Sequence, residues 1–113
     1  MNETAMTRLR MHSYREVEME ILRWAEARRI IPNATPLSQL LKAVSEMGEL
    51  ADAEGKQDLL GIKDAVGDVL VCLINYCALR DLDIVECLVG AYDQIKDRRG
   101  TLMPDGTFVK AEQ

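Results

Sequence analysis

The sequence predicts an all-α domain: an antiparallel four-helix bundle, finished by a short C-terminal β-like hairpin or arm, and oligomeric. Three observations predict it. Only five of the 113 residues are aromatic, so the 48% of apolar residues is mostly Leu, Ile, Val, Met and Ala, side chains that suit helix cores. Four segments place apolar residues at helical spacing between recognisable start and stop signals. The connections between those segments are short, which favours antiparallel neighbours.

The first helix is expected over residues 14 to about 30. Ser13 and Glu16 form an S-x-x-E capping pattern, Val17, Ile21, Trp24 and Arg28 follow at helical spacing, and Pro32 lies just beyond. The second spans about 36–54. Thr35 is its N-cap, Pro36 occupies the first position, Gly55 is the stop, and Leu37, Leu40, Leu41, Val44, Met47 and Ala51 form an apolar stripe. The third spans about 59–79 behind Asp58. Its second half, VLVCLINYCAL, is apolar nearly all round and must be covered on most sides; in so short a chain, a second subunit is the expected cover. The fourth spans about 84–99, capped by Asp83 with Glu86 and stopped by Gly100, with Ile84, Leu88, Ala91 and Ile95 as its core face. In the tail, Pro104-Asp105-Gly106 is turn chemistry between short β-prone runs.

Length bounds the organisation to one domain over 1–113, with 1–12 as an N-terminal extension and 101–113 as a tail. The chain carries 14 basic and 19 acidic residues, a net charge of −5, which argues against binding a nucleic-acid polymer. The N-terminal stretch lacks the apolar run of a signal peptide, and VLVCLI is too short to cross a bilayer, so the expected location is cytoplasmic and no membrane partner is expected. Cys72, Cys77 and Cys87 form no C-x-x-C pair, and with one histidine in the chain they predict buried thiols in a reducing compartment rather than a zinc site. His12 reads as a surface or capping residue.

The chemistry is sought where helical spacing gathers polar groups. Gln39, Lys42, Glu46 and Glu49, at spacings of three, four and three, make one stripe on the second helix. Asp64, Asp68 and Asn75 share a face of the third. Glutamates three apart are commonly a solvated edge, and Lys42–Glu46 is an ordinary i, i+4 pair. Against that, Gly48 and Gly67 sit inside helices beside acidic residues, at a cost of about 1 kcal/mol each relative to alanine, and small residues there let helices approach. Asp68 also opens an apolar segment, where an unpaired carboxylate is costly. The short loop between the helices turns the two acidic stripes toward each other. Converging carboxylates call for divalent cations, and an all-oxygen set suits Mg²⁺, with Mn²⁺ as a substitute.

Taken in order, RWAEARRII, QLLKAVSEMGEL, SEMGELADA, KDAVGDVLVCLINYCAL and AYDQIKDRRG with DGTFVK resemble the MazG-like all-α nucleoside triphosphate pyrophosphohydrolases, over residues 14 to about 110. The family signature is E-E-x-x-E followed by E-x-x-D on facing helices. Glu46 and Glu49 match two of its glutamates and Asp68 its aspartate, while Ser45 and Ala65 stand where glutamates are expected; Asp64, one residue earlier, is the replacement candidate. The resemblance implies Mg²⁺-dependent cleavage of (d)NTP between the α- and β-phosphates to (d)NMP and pyrophosphate, a house-cleaning activity on the nucleotide pool. Glu46, Glu49, Asp64 and Asp68 would hold metal that grips phosphate oxygens and activates water, with Glu46, Glu49 and Asp68 as the catalytic carboxylates and Glu46 the candidate base.

Substrate contacts are expected from Trp24, by stacking on the base unless it packs in the core, and from Gln39 and Lys42 unless they are merely solvated. Lys96 and Arg99 would hold the outer phosphates unless they only serve a helix C-terminus. Asn75 would bind sugar or base, or else fix a helix register. A homodimer or a dimer-of-dimers tetramer is the expected assembly. The alternative is a non-catalytic nucleotide- or metal-binding protein, or a structural helical oligomerisation module.

Overall fold

The computed structural model describes residues 13–111; His12 lies outside them. The element order is α1 (Tyr14–Ala27), α2 (Ile30–Asn33), α3 (Pro36–Gly55), α4 (Leu59–Leu79), α5 (Ile84–Ile95), β1 (Gly100–Leu102) and β2 (Phe108–Lys110).

The start signals work as the sequence predicts. Ser13 accepts the Glu16 N–H, Thr35 the Ser38 N–H with Pro36 in the first turn, Asp58 the Gly61 N–H, and Asp83 the N–H groups of Val85 and Glu86. The stop signals do not. Three helix ends turn through left-handed residues that are not glycine: Arg29, Gln57 and Asp81, with φ of 63°, 55° and 58°. Each conformation costs an L-residue about 1 kcal/mol or more. At Gln57 and Asp81 crossed backbone bonds offset it: Asp58 N–H donates to Ala53 O at 2.9 Å and Leu82 N–H to Cys77 O at 2.8 Å. Gly55 is therefore the last helical residue of α3, not the residue beyond it. The first helix ends at Ala27 rather than near residue 30, and α2 follows as a single turn. The last helix stops at Ile95, and Gly100 belongs to a strand.

α3 and α4 form a tight antiparallel hairpin that accounts for most of the tertiary contact in the protomer, with α1 and α2 laid along α4. The inner stripe of α3 reads Gln39, Ala43, Glu46, Leu50, Ala53, at alternating spacings of four and three. Ala43, Ala53 and Ala65 are buried there, and their single methyl groups let the backbones come together. The close-approach glycine is Gly61, where an added Cβ would sit 3.3 Å from the Ala53 Cβ. Gly48 and Gly67, expected to play that part, face open space with nothing within 4 Å.

α4 is the hub. Cys72, Ile74, Asn75 and Cys77 are buried, so the protomer itself supplies much of the cover that its apolar half was expected to need from a second subunit. The uncovered faces lie elsewhere. Leu37, Leu41, Val44 and Met47 of α3 are more than half exposed, as are Leu88, Val89 and Tyr92 of α5. The stripes expected to be core thus point outward. α5 is splayed from the hairpin, and the radius of gyration is 17.1 Å, against about 13 Å for a compact domain of this length. The chain is thus mostly helical, with a small two-stranded antiparallel sheet at its C-terminal end.

α1 is pinned at its first turn. Arg15 donates to both carboxylate oxygens of Asp83 at 2.9 and 2.8 Å and to the buried Glu18 at 2.8 Å. The tail forms the expected hairpin: Gly100 pairs with Lys110, Thr101 with Val109, and Leu102 with Phe108, around a turn in which Gly106 has φ of 89°. The cysteines are free; Cys72 and Cys77 are buried as expected, but Cys87 is exposed. Among the described residues no helix is long and apolar enough to cross a membrane.

Candidate functional site

Helical geometry brings the α3 stripe against α4. Glu46 is half-buried between the helices, and its Oε2 is fully buried without a hydrogen-bond partner. Such an orphaned carboxylate oxygen is costly. Burial pushes the Glu46 pKa up, and the neighbouring carboxylates of Glu49 and then Asp68 push it further; only Lys42 pulls it down. The same surroundings reach the buried Cys72, whose thiol is raised first by burial and then by Glu46 and Asp68, again opposed by Lys42. Lys42, Glu46, Glu49, Asp68 and Cys72 therefore share one electrostatic neighbourhood.

Two clefts open from it. One, of about 340 Å³, is lined by Glu49, Asp52, Lys56, Asp58, Asp64 and Asp68 along the mouth of the hairpin. Asp64 lines the same cleft as Glu49 and Asp68, and the buried Ala65 lines it too. Sequence reasoning missed Asp52 and Asp58. Asp52 lies one turn past the glutamate stripe and is paired with Lys56 at 2.9 Å; Asp58 was read only as a cap.

The second cleft, of about 420 Å³, is mainly apolar and is lined by Val17, Glu20, Ile21, Trp24, Asp68 and Val71. Trp24 is nearly half exposed in it, so its ring is not core packing within the protomer. Asp68 borders both clefts. Glu20, which no spacing argument singled out, stands here beside Arg23. Asn75 is buried, and its Oδ1 has no partner. Gln39 is half-buried on the inner stripe.

The structure does not bring Lys96 and Arg99 to these clefts. Lys96 caps the end of α5 and pairs with Asp93 at 3.4 Å, and Arg99 lines a separate cavity beside the C-terminal hairpin.

Among the described residues no three His, Cys, Asp or Glu side chains stand gathered closely enough to hold a metal ion. The orphaned Glu46 oxygen, crowded by two acids with one opposing lysine, is nonetheless a group that a cation would satisfy. Glu49, Asp64 and Asp68 are exposed at the cleft rim and supply the hard oxygens that Mg²⁺ or Mn²⁺ prefers.

An all-α protomer built on an acidic helical hairpin has solved counterparts. A MazG-like pyrophosphohydrolase of cyanophage S-2L, solved bound to dGDP and three catalytic Mn²⁺ ions per active site, superposes with a TM-score of 0.66. The match covers 91% of this chain and 97% of that one, at 21% identity. The fold is therefore MazG-like. Among curated proteins, an uncharacterized 18.2 kDa protein in the rep-hol intergenic region of Haemophilus phage HP1 is 31% identical over 75 residues. That alignment takes in 66% of this chain, which spans 46% of the relative's length. No family model matches the chain.

Proposed function

We propose that this protein is a Mg²⁺-dependent pyrophosphohydrolase that cleaves (d)NTP between the α- and β-phosphates to (d)NMP and pyrophosphate. The observation that carries the reading is the orphaned, acid-crowded Glu46 at the centre of a MazG-like hairpin. Glu46, Glu49, Asp64 and Asp68 are the ligand candidates. Bound divalent cations would supply charge neutralisation and a water of lowered pKa.

The chain's own groups do the remainder. Glu46, whose pKa is raised by burial and by the neighbouring carboxylates, is the candidate to exchange a proton with that water. Trp24, with Val17, Ile21 and Val71, offers an apolar wall of a size and flatness suited to a base. Lys42 is the cation whose charge acts on Glu46 and is a candidate to meet phosphate charge from the chain's own side. Asn75, buried with a free carbonyl oxygen, is a candidate contact for sugar or base.

The open apolar faces support a homo-oligomer, dimer or tetramer. Each exposed Leu or Val side chain of the α3 stripe forgoes about 1.5–3 kcal/mol of burial, which a second copy would restore. In such an assembly Lys96 and Arg99 would reach phosphates from a neighbouring chain. A cytoplasmic location and a role in clearing unwanted nucleotides complete the reading.

The deciding assay is a panel of NTPs and dNTPs with Mg²⁺, Mn²⁺ or EDTA. Metal-dependent release of pyrophosphate supports the proposal. Release of orthophosphate contradicts the cleavage position, binding without turnover identifies a sensor, and neither binding nor turnover leaves a helical assembly module. Asp64→Ala against Asp64→Glu then tests the displaced ligand. Loss in the first and retention in the second are expected.

A further inference from the structure

α1 separates two clefts. Val17, Glu20, Ile21 and Trp24 line the apolar one beside Asp68. Arg15, Glu18, Met19 and Leu22 line another, of about 370 Å³, with Leu82 and Asp83 at the corner between α4 and α5. The second set is the first displaced by two residues, about 200° round the helix, so the two clefts lie on opposite sides of it. A hydrogen-bonded helix moves as one piece, and whatever seats one of these faces seats the other.

Little else fixes α1. Most tertiary contact lies in the α3–α4 hairpin. Of α1 only Glu18 and Ala25 are buried, while Tyr14, Met19 and Trp24 are exposed. The tie is Arg15. Its Nη2 donates to both carboxylate oxygens of Asp83, at 2.9 and 2.8 Å, and its Nη1 donates to the buried Glu18 at 2.8 Å. The ion pairs of Arg23, Lys56 and Lys96 join residues three or four apart, whereas this one reaches across 68 residues. An exposed pair between two flexible side chains contributes little, but here one planar group serves two carboxylates, one of them buried. The hydrogen bond from Arg15 is also the first cause that holds the Asp83 carboxyl below its ordinary range.

We infer that Arg15 and Asp83 are positioning residues for the substrate: by tying the first turn of α1 to the start of α5 they hold Val17, Ile21 and Trp24 in place as the wall of the apolar cleft. This role rests on the proposed use of that cleft for the base. Neither residue lines the cleft, so both act through α1. Asp83 also caps α5, accepting the N–H groups of Val85 and Glu86. Asparagine caps a helix equally well, so Asp83→Asn removes the charge that holds Arg15 while α5 keeps its start and Glu18 keeps its partner.

Trp24 is the only tryptophan in the chain, so its emission reports how α1 is seated with neither metal nor nucleotide present. In EDTA, Asp83→Asn should shift that emission to the red and increase its quenching by acrylamide, with circular dichroism unchanged. With Mg²⁺, KM for the four dNTPs should rise about fivefold at a near-constant kcat, the pattern of lost binding rather than lost chemistry. Arg15→Gln should act in the same direction, and the double variant should go no further than Arg15→Gln, because both changes remove one contact. Wild-type emission and quenching in Asp83→Asn overturn the inference. A fall in kcat at unchanged KM overturns it too, as do additive effects in the double variant. Absence of pyrophosphate release by the wild type defeats the proposed reaction separately. The affinity for each dNTP, read from quenching of Trp24, then decides the positioning role: weaker binding by Asp83→Asn supports it, and equal binding or none by the wild type overturns it.

Discussion

The two faces of α3 have traded places. Its inner face, against α4, is mostly small or polar, Gln39, Ala43, Glu46 and Ala53, with Leu50 its one large apolar side chain. Its outer face is large and apolar: Leu37, Leu41, Val44, Met47. A surface helix of a self-sufficient domain does the reverse, turning its apolar stripe to the core. The inversion separates two jobs. The inner face holds a carboxylate where it is poorly solvated and poorly paired, an arrangement that weakens the protomer and creates a reactive environment. The outer face keeps in reserve the burial that would recover stability on assembly.

The sharpest way to break this contrast is to remove the inner acid that borders both clefts. Asp68→Ala should lower pyrophosphate release by two orders of magnitude or more with helical content unchanged, measured by coupled phosphate assay and circular dichroism. Activity at the wild-type rate would detach the inner face from catalysis. The next largest effect belongs to the outer face. Leu41→Asp with Val44→Asp should shift the assembled mass to that of one chain in light scattering, because each change forfeits about 1.5–3 kcal/mol of interfacial burial and adds a charge. An unchanged mass would mean that the outer face is not the interface.

The third test concerns the inner face at rest. The folded-state pKa of Glu46 is raised, so the folded chain holds its proton to higher pH than the unfolded chain does. Stability contributed by that protonated form is present below the ordinary carboxylate pKa and is lost as pH rises through the raised value. In EDTA, Glu46→Gln should therefore melt above the wild type at pH 7 and lose that advantage near pH 4. Added Mg²⁺ should narrow the gap at pH 7 by stabilising the wild type alone. A variant that melts below the wild type at pH 7 in EDTA would show that the carboxylate is already satisfied.

The sequence made the helices legible because each begins with a side chain that accepts a specific backbone N–H: Ser13, Thr35, Asp58 and Asp83. It misled about the ends, because left-handed Gln57 and Asp81 are stabilised by crossed backbone bonds that no residue type announces, and Arg29 is left-handed with no glycine to signal it. The acidic stripes were legible because helical period alone puts Glu46, Glu49, Asp64 and Asp68 on facing surfaces. Which stripe turns inward was not. Periodicity defines two faces but does not say which one a neighbour from the same chain will meet. Asp52 was legible, since it continues the Glu46–Glu49 spacing by three; Asp58 and Glu20 were hidden because they join the clefts through the hairpin loop and through α1, whose approach has no signature in spacing.

Glycine offers the smallest and most discriminating test of the same contrast. Gly61 lies on the inner side. A Cβ there would sit 2.6 Å from Asp58 Oδ2, so alanine must displace the side chain that caps α4. Gly61→Ala should cost roughly 1–2 kcal/mol, the worth of an N-cap. Gly48 and Gly67 meet nothing within 4 Å, and alanine at either should add about 1 kcal/mol by helix propensity alone. Chemical denaturation reads all three. A gain at Gly48 and Gly67 together with a loss at Gly61 confines close helix approach to the inner face. A loss at Gly48 would mean that a second chain's backbone lies against α3, with the glycine retained for the assembly rather than for the hairpin.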